Sequence, residues 1–503
     1  MSGTRVSGVH DTQQFAGLTS WSLVSLVGAV PVWIVVVRSA VMSRVVDGGI
    51  FLSVSAGVAD GLTLYEQIWD NKDPLFFGVM ALATIVNPAL SFFLDVMWIA
   101  LAGLGAGLIA RMVMSSDRAL FVGLVITPLL MLGPAYVPGW TNTPGTALVL
   151  LSLGLLARRW AIAAGIAAGA LAFVKLPVWP IAAAGLIVVL VSPSWRRTGA
   201  RALVAMGVTM LASLGVMALL GWLSGAIEAL QRNRQYALDV ASYFGFDPGL
   251  LGRWSKAFGD WPAAVWWSAL IAIAMVLVAS VVWTAVPSFR STERSIVLVW
   301  AALAWLGTAA VLGLTYVWPH HIQALYLPVI ASVIVFAALF PPRWPFAFWV
   351  LWASIGALLV SGWGSPQAWQ QKWHERSAAF DIKVQEIDEK PIDARLLDSV
   401  PLQDVTYARL GSNDDRGFLG SVRGDAVLAC PQFHLYDFSP PEAFAEALEC
   451  VQQVDAVIVT DAFTVYGSSS RAPYATPVLD YVQANFTCLR IEDRQICTRT
   501  PSL

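Results

Sequence analysis

The stretch DGGIFLSVSAGVADGLTLYEQIWDNKDPL, Asp47 to Leu75, decides how this chain is read. It follows an apolar run of membrane length, about Trp21 to Met42, and carries Asp47, Asp60, Glu66, Asp70, Lys72 and Asp73. No comparable length of the apolar region after it is so rich in ionisable side chains. Isolated charge in hydrocarbon costs several kcal/mol, so such a cluster beside a bilayer marks a functional site.

The rest of the composition agrees that a bilayer is the solvent. Of 503 residues, 57% are hydrophobic and 13% charged, with a mean hydropathy of +0.66, against about a quarter charged in soluble domains. The chain is an integral membrane protein. A net charge of -2 gives no basis for binding nucleic acid. Many of the 23 Trp, among them Trp21, Trp98, Trp160, Trp222 and Trp318, flank apolar runs, where an amphipathic ring suits the headgroup level. The polar residues 1–20 precede a run longer than a signal-peptide core, so the first span is expected to be retained.

Lysine and arginine set the orientation, since short loops rich in them stay inside. The first span rises from a cytoplasmic tail, 1–20. Later inside loops carry Arg111 and Arg118, Arg158 and Arg159, Arg196, Arg197 and Arg201, Arg290 and Arg294, and Arg343. This rhythm predicts a mostly α polytopic bundle over 21–363 with about eleven spans and outer loops 43–94, 135–145, 223–262 and 313–321. Within the first of these, Asn87-Pro88 interrupts the apolar segment 74–94, which is expected to lie along the outer interface. Arg38, Arg44, Lys72, Lys175, Arg232, Arg234 and Arg253 fall at or near the outer side, against the rule. Binding a phosphate would explain them; so would salt bridges to Asp47, Asp70, Asp73 or Glu228.

After Trp363 the composition changes. Residues 364–398 read as a charged linker, and 399–503 as a small extracytoplasmic α/β domain. Strands are expected at 405–410, 426–429 and 456–460, a helix at 441–451, and a hairpin from 486–491 to 495–499. All four cysteines lie in this domain, which suggests disulfides on an oxidising side. Cys488 and Cys497 would face each other in the hairpin, leaving Cys430 with Cys450.

The local chemistry of the first loop leaves alternatives open. Asp47 serves equally as a helix N-cap for the segment Ile50 to Asp60 or as a base, with Gly48-Gly49 leaving room for a ligand. Lys72, between Asp70 and Asp73, is a phosphate ligand or a member of a local ion cluster. His320 and His321 suit a phosphate through ring N–H groups better than a metal, because adjacent histidines on a helix point apart. Lys175 is a ligand or a snorkelling lysine. Glu228, Arg232 and Tyr236 share one helical face. The chain has no P-loop, Rossmann fingerprint, GxSxG or HExxH.

A family resemblance chooses among these. Asp47 after the first span, a helix ending at Gly61, Leu64-Tyr65, Trp69-Asp70 and Lys72-x-Pro74-Leu75 resemble the first extracytoplasmic loop of the glycosyltransferase C superfamily. Those multi-pass enzymes take a sugar from a polyprenyl-phosphate carrier outside the membrane. Further likenesses lie in AGIAAGALAFVKLP, ending at Lys175 and Pro177, and in WPHHIQALYLP with Tyr316, His320, His321 and Pro328. The loop GAIEALQRNRQYALDVASYFG is similar to the family's long mid-chain loop, and the bacterial aminoarabinose- and mannosyl-transferase-like group is the nearest in pattern. Asn142 and Gly48 stand where relatives often carry acids.

The resemblance implies Asp47 as general base, and Lys72, Lys175, Arg44, His320 and His321 as ligands of the donor phosphate. It implies substrate contacts from Tyr65, Asp70, Asn142, Glu228, Arg232, Tyr236 and Tyr316. The expected partners are a polyprenyl-phosphate-linked sugar, an envelope glycan or lipid acceptor, and membrane lipids. No cofactor is firmly implied, with Mg or Mn left open, and inversion at C1 is expected. The rival readings are a flippase for a lipid-linked sugar, an envelope assembly protein without catalysis, and a ligase using a diphosphate carrier.

Overall fold

The structure is a computed structural model. It describes residues 20–42, 48–59, 61–68, 70, 72–87, 90, 93–132, 139–243, 245–261, 263–286, 291–316, 319–339, 405–410, 427–429, 441–460, 463, 474–491 and 494–500. The last expected span, near 344–363, and the linker 364–398 lie outside these residues.

The bundle begins with α1 (Ser20–Met42), followed by α2 (Gly48–Ala59), α3 (Pro74–Val86) and α4 (Leu94–Ala110). Next come α5 (Ser116–Phe121) and α6 (Thr127–Met131), joined by a π turn at Val122–Ile126, then α7 (Asn142–Ala157), α8 (Ala161–Leu171), α9 (Trp179–Val188) and α10 (Arg196–Leu219). Two helices, α11 (Trp222–Tyr243) and α12 (Leu250–Asp260), fill the segment read as a long loop. The series ends with α13 (Ala263–Ala285), α14 (Thr292–Thr315), a 3-10 turn at Pro319–Leu325 and α15 (Tyr326–Ala337). Among the described residues, three helices, spanning 196–219, 265–285 and 292–315, are long and apolar enough to cross a membrane, and shorter apolar helices accompany them.

Local chemistry explains the irregular places. Pro128 has no N–H to give Leu124, its partner four residues back. The helix opens there into the π turn, with Thr127 N–H reaching the carbonyl of Val122. The Leu124 carbonyl instead accepts from Trp33 Nε1 at 3.1 Å, which ties α1 to this helix.

Small residues set the spacing of the central helices, as expected where lipid removes the usual hydrophobic drive between helices. A Cβ added to Gly154 of α7 would stand 2.5 Å from the carbonyl oxygen of Gly105 in α4. One added to Gly165 of α8 would stand 2.7 Å from Ala205 Cβ and 2.8 Å from Met206 N of α10. Gly207, also on α10, faces open space. Gly165→Ala is therefore expected to lower the stability of the solubilised protein by about 1–3 kcal/mol through overpacking. Gly207→Ala, losing only glycine's entropy cost, should leave the thermal midpoint unchanged or raise it. Equal midpoints for the two variants would show that α8 and α10 do not meet at Gly165.

The C-terminal region holds a sheet in the order β2-β1-β3-β5-β4. Its strands are β1 (Thr406–Leu410), β2 (Val427–Leu428), β3 (Ala456–Thr460), β4 (Phe486–Ile491) and β5 (Arg494–Arg499), with helices α16 (Pro441–Val451) and α17 (Thr476–Asn485). β1 runs parallel to β2 and β3, while β5 is antiparallel to β3 and β4. Cys488 and Cys497 are paired across the β4–β5 hairpin and joined as a disulfide. Cys450, on α16, is disulfide-bonded too; Cys430, its expected partner, lies outside the described residues.

Side-chain alternation gives the sheet two buried faces. Ala408, Leu410, Val457 and Val459 pack under α16 and α17 with Phe444, Val478 and Val482. Tyr407, Ala456, Ile458 and Ile496 point the other way and join Phe51, Leu64, Tyr65, Ile68, Phe76, Phe77 and Met80 of the first-loop region in one apolar cluster. The sheet therefore sits directly on the first-loop region between Phe51 and Met80.

Candidate functional site

That stretch is held in a defined shape. Helix α2 is followed by Gly61 at φ +96°, a conformation suited to glycine, and the chain then turns so that Tyr65 N–H bonds the Ile68 carbonyl. Tyr65 itself has a positive φ of 69°, uncommon for a residue with a side chain. It is buried, and a Cβ on Gly225 of α11 would collide with its Cβ, so α11 presses on it from one side. Its hydroxyl donates to the carbonyl of Lys72. Asp70, also buried, accepts from the Lys72 backbone N–H at 3.0 Å and lies 3.8 Å from its Nζ. The Lys72 ammonium stands 5.2 Å from the Phe51 ring centroid and 5.7 Å from that of Trp140, within reach of a cation–π attraction.

Lys175 enters the same neighbourhood from the turn after α8. Its Nζ donates to Thr141 Oγ1 at 2.8 Å, and the Phe173 carbonyl accepts from Leu75 N–H at 2.9 Å, which clamps this turn to the start of α3. Burial drives the Lys175 ammonium down to a pKa of about 8; Asp73 opposes that shift and Lys72 adds to it. Burial raises the Asp73 carboxyl, against the pull of Lys175, the Leu176 backbone and Lys72. Two ammonium groups and two carboxylates thus meet beside Trp140, Thr141 and Asn142. Each carboxylate already faces an ammonium, which suits an anion entering among the cations better than a divalent metal. Among the described residues, no group of at least three His, Cys, Asp or Glu stands together in a way that could hold a metal.

The structure therefore brings together Lys72, Lys175, Tyr65, Asp70 and Asn142. Asp47 and Arg44 lie outside the described residues. His321 and Tyr316 belong to a second cluster: their rings are 6.0 Å apart, Tyr316 is fully buried, and its hydroxyl donates to Asp260 at 3.0 Å. Lys256 pairs with Asp260 at 3.0 Å, and Arg253 donates to the carbonyls of Pro248 at 2.8 Å and Tyr316 at 2.9 Å. His320 sits in the 3-10 turn beside His321, with its side chain outside the described atoms. That turn packs against α7, the helix whose first residue is Asn142.

Arg232 does something else. It bonds Glu228 one turn back at 2.8 Å and takes Glu446 of α16 in a two-pronged grip at 3.1 and 3.2 Å. The Tyr236 side chain lies outside the described atoms. Exposed pairs of this kind contribute about 0–1 kcal/mol, far less than the apolar cluster beneath the sheet. Arg232 thus links α11 to α16, and burial of the apolar cluster holds the C-terminal region in place.

Sequence reasoning passed over Trp140, Thr141, Lys256 and Asp260. The i, i+4 spacing of Lys256 and Asp260 was a usable signal; Trp140 and Thr141 offered none apart from the fold.

No family profile matches this chain, and no curated protein matches it in sequence. Solved structures do match. ArnT from Cupriavidus metallidurans bound to undecaprenyl phosphate aligns with a TM-score of 0.51 and 13% identity, covering 97% of this chain and 99% of that one. The same protein in its apo state gives 0.41 and 14%, over 96% and 98%. The archaeal oligosaccharyltransferase AglB from Archaeoglobus fulgidus, in complex with an inhibitory peptide and a dolichol-phosphate, gives 0.48 and 11%, over 96% and 74%. At such identities the likeness is one of fold: over 97% of its length this chain shares the fold of the ArnT structure bound to undecaprenyl phosphate.

Proposed function

We propose that the chain is a membrane glycosyltransferase that moves a hexose or pentose from a polyprenyl-phosphate donor to an envelope glycan or lipid on the extracytoplasmic face. One observation carries the reading: the ammonium groups of Lys72 and Lys175 lie close enough to act on each other, beside Phe51, Trp140 and Thr141. Asp70 and Asp73 offset part of the repulsion between the two ammonium groups, and a carrier phosphate entering beside them would be held by both charges. The undecaprenyl phosphate bound by the structural neighbour from C. metallidurans is an anion of that kind.

The proposed reaction is a single displacement. The acceptor hydroxyl oxygen attacks C1 of the sugar while Asp47 takes its proton. The bond from C1 to the phosphate oxygen breaks, its electron pair stays on that oxygen, and Lys72 and Lys175 stabilise the charge, with Arg44 and the His320-His321 pair as further donors. Polyprenyl phosphate leaves and the sugar is inverted at C1. About eleven spans, a cytoplasmic N-terminus and an extracytoplasmic C-terminal domain complete the proposal.

The deciding experiment supplies the full chain, reconstituted in vesicles, with labelled polyprenyl-phosphate sugars and envelope acceptors. Transfer of label, with release of polyprenyl phosphate in equal amount, is the expected result. Movement of the labelled donor across the bilayer without transfer would overturn the reading in favour of a flippase.

A further inference from the structure

Asn142 opens α7 and is only 7% exposed, and its Nδ2 has no acceptor among the described residues. A buried amide donor left this way costs about 1–3 kcal/mol. Its surroundings indicate what would satisfy it. Asn142 and Gly145, three residues apart, share a face of α7. A Cβ on Gly145 would stand 3.0 Å from Cγ and 3.1 Å from Cβ of Lys175, so the stem of Lys175 lies along that face. The Lys175 chain then runs towards the start of the helix, where its Nζ reaches Thr141. Side chains on a helix tilt towards its N-terminus. The amide of Asn142 therefore belongs at the charged end of Lys175.

The helix start adds its positive dipole end but few N–H groups of its own. Thr143 N–H bonds the Trp140 carbonyl, Gly145 N–H bonds the Thr141 carbonyl, and Pro144 has none. A ligand there must be gripped by side chains, and Asn142 Nδ2, Lys175 Nζ and the nearby Lys72 Nζ all donate. A sugar hydroxyl calls for acceptors as well; a phosphate ester supplies only acceptor oxygens and negative charge.

We propose that Asn142 is a specificity-determining residue whose amide donates to a non-bridging oxygen of the carrier monophosphate, beside Lys175. This rests on the carrier-phosphate reading above and adds the residue that recognises the phosphate as a hydrogen-bond acceptor. The test measures binding of a polyprenyl monophosphate, and of the matching polyprenol, to the full chain in nanodiscs. Wild type, Asn142→Asp and Asn142→Ala are compared. Asn142→Asp keeps the shape and places a carboxylate against the phosphate; it should weaken monophosphate binding by well over tenfold. Asn142→Ala should weaken it by about tenfold, the usual effect of losing one hydrogen bond to a charged group. Polyprenol binding should not change in either.

Monophosphate binding by Asn142→Asp equal to or tighter than wild type would overturn the inference, because it places the amide on a hydroxyl, and would leave the carrier reading intact. If wild type binds the polyprenol as well as the monophosphate, the carrier reading falls and the inference with it. If thermal unfolding shows that the Asp variant does not fold, the Ala variant decides by the same measure.

Discussion

Asp47→Asn is expected to lower sugar transfer by about 10²–10⁴-fold, the usual contribution of general-base catalysis, with yield and thermal midpoint unchanged. Helix α2 begins at Gly48, the residue after Asp47, so a cap and a base compete as explanations of this carboxylate. Asparagine separates them: it caps a helix about as well as aspartate and cannot take a proton at neutral pH. If Asp47 acts only as a cap, the variant transfers sugar at the wild-type rate. If it is the base, the rate falls and the acidic limb of the kcat/KM profile, which reports its protonation, disappears with it. A variant whose kcat matches wild type would send the search for the base to the other carboxylates of the first loop.

Lys175→Met is expected to weaken binding of a polyprenyl monophosphate by about 10- to 100-fold at pH 7, the scale of a hydrogen bond to a charged group. The pH dependence makes the assignment specific. With its pKa near 8, Lys175 is charged at pH 7 and largely neutral by pH 9.5, so wild-type affinity should fall across that interval and the variant should lack that fall. Stability without ligand has the opposite sign. An unfolded lysine titrates near 10.4. Between about pH 8 and that value the unfolded chain therefore holds a proton that the folded chain has shed, and folding stability gains with rising pH. The wild-type minus Lys175→Met difference in unfolding free energy should increase over that window. A flat difference, with affinity also flat in pH, would remove Lys175 from the phosphate site.

Much of this was legible in the sequence because hydrophobic length and arginine placement are strong signals in a membrane chain. The helices near Trp21, Asp95, Thr146 and Arg294 fall where the apolar runs stand, within a few residues. The β4–β5 hairpin with its Cys488–Cys497 bond agrees with the alternation around Glu492-Asp493-Arg494. The segment 223–262 reads as mainly loop because α11 and α12 are amphipathic and polar on average, so hydropathy alone does not reveal them. The candidate site drew notice where charge was out of place: Lys72 and Lys175 stand outside the rhythm of the arginine-bearing loops, and the structure sets them near each other. Tyr316 shows the limit. Its likeness to a loop motif implies substrate contact, and only the fold shows that it packs against Trp261 and donates to Asp260. A motif carries residue type, and only the fold decides which way the residue faces.

The apolar seat beneath the C-terminal sheet also sets an order of events during synthesis. Phe51, Phe76 and Phe77 emerge from the ribosome early, yet Ile496, which joins their cluster, is made roughly 420 residues later. Chains are built from the N-terminus, so for most of translation the first loop stands without its cover, and contacts so distant in sequence form slowly. The site around Lys72 is therefore among the last parts of the protein to be finished, although its residues are among the first to be made. A chain released before residue 496 would possess every candidate catalytic side chain and still lack the strand that completes the apolar cluster around Phe51, Phe76 and Phe77.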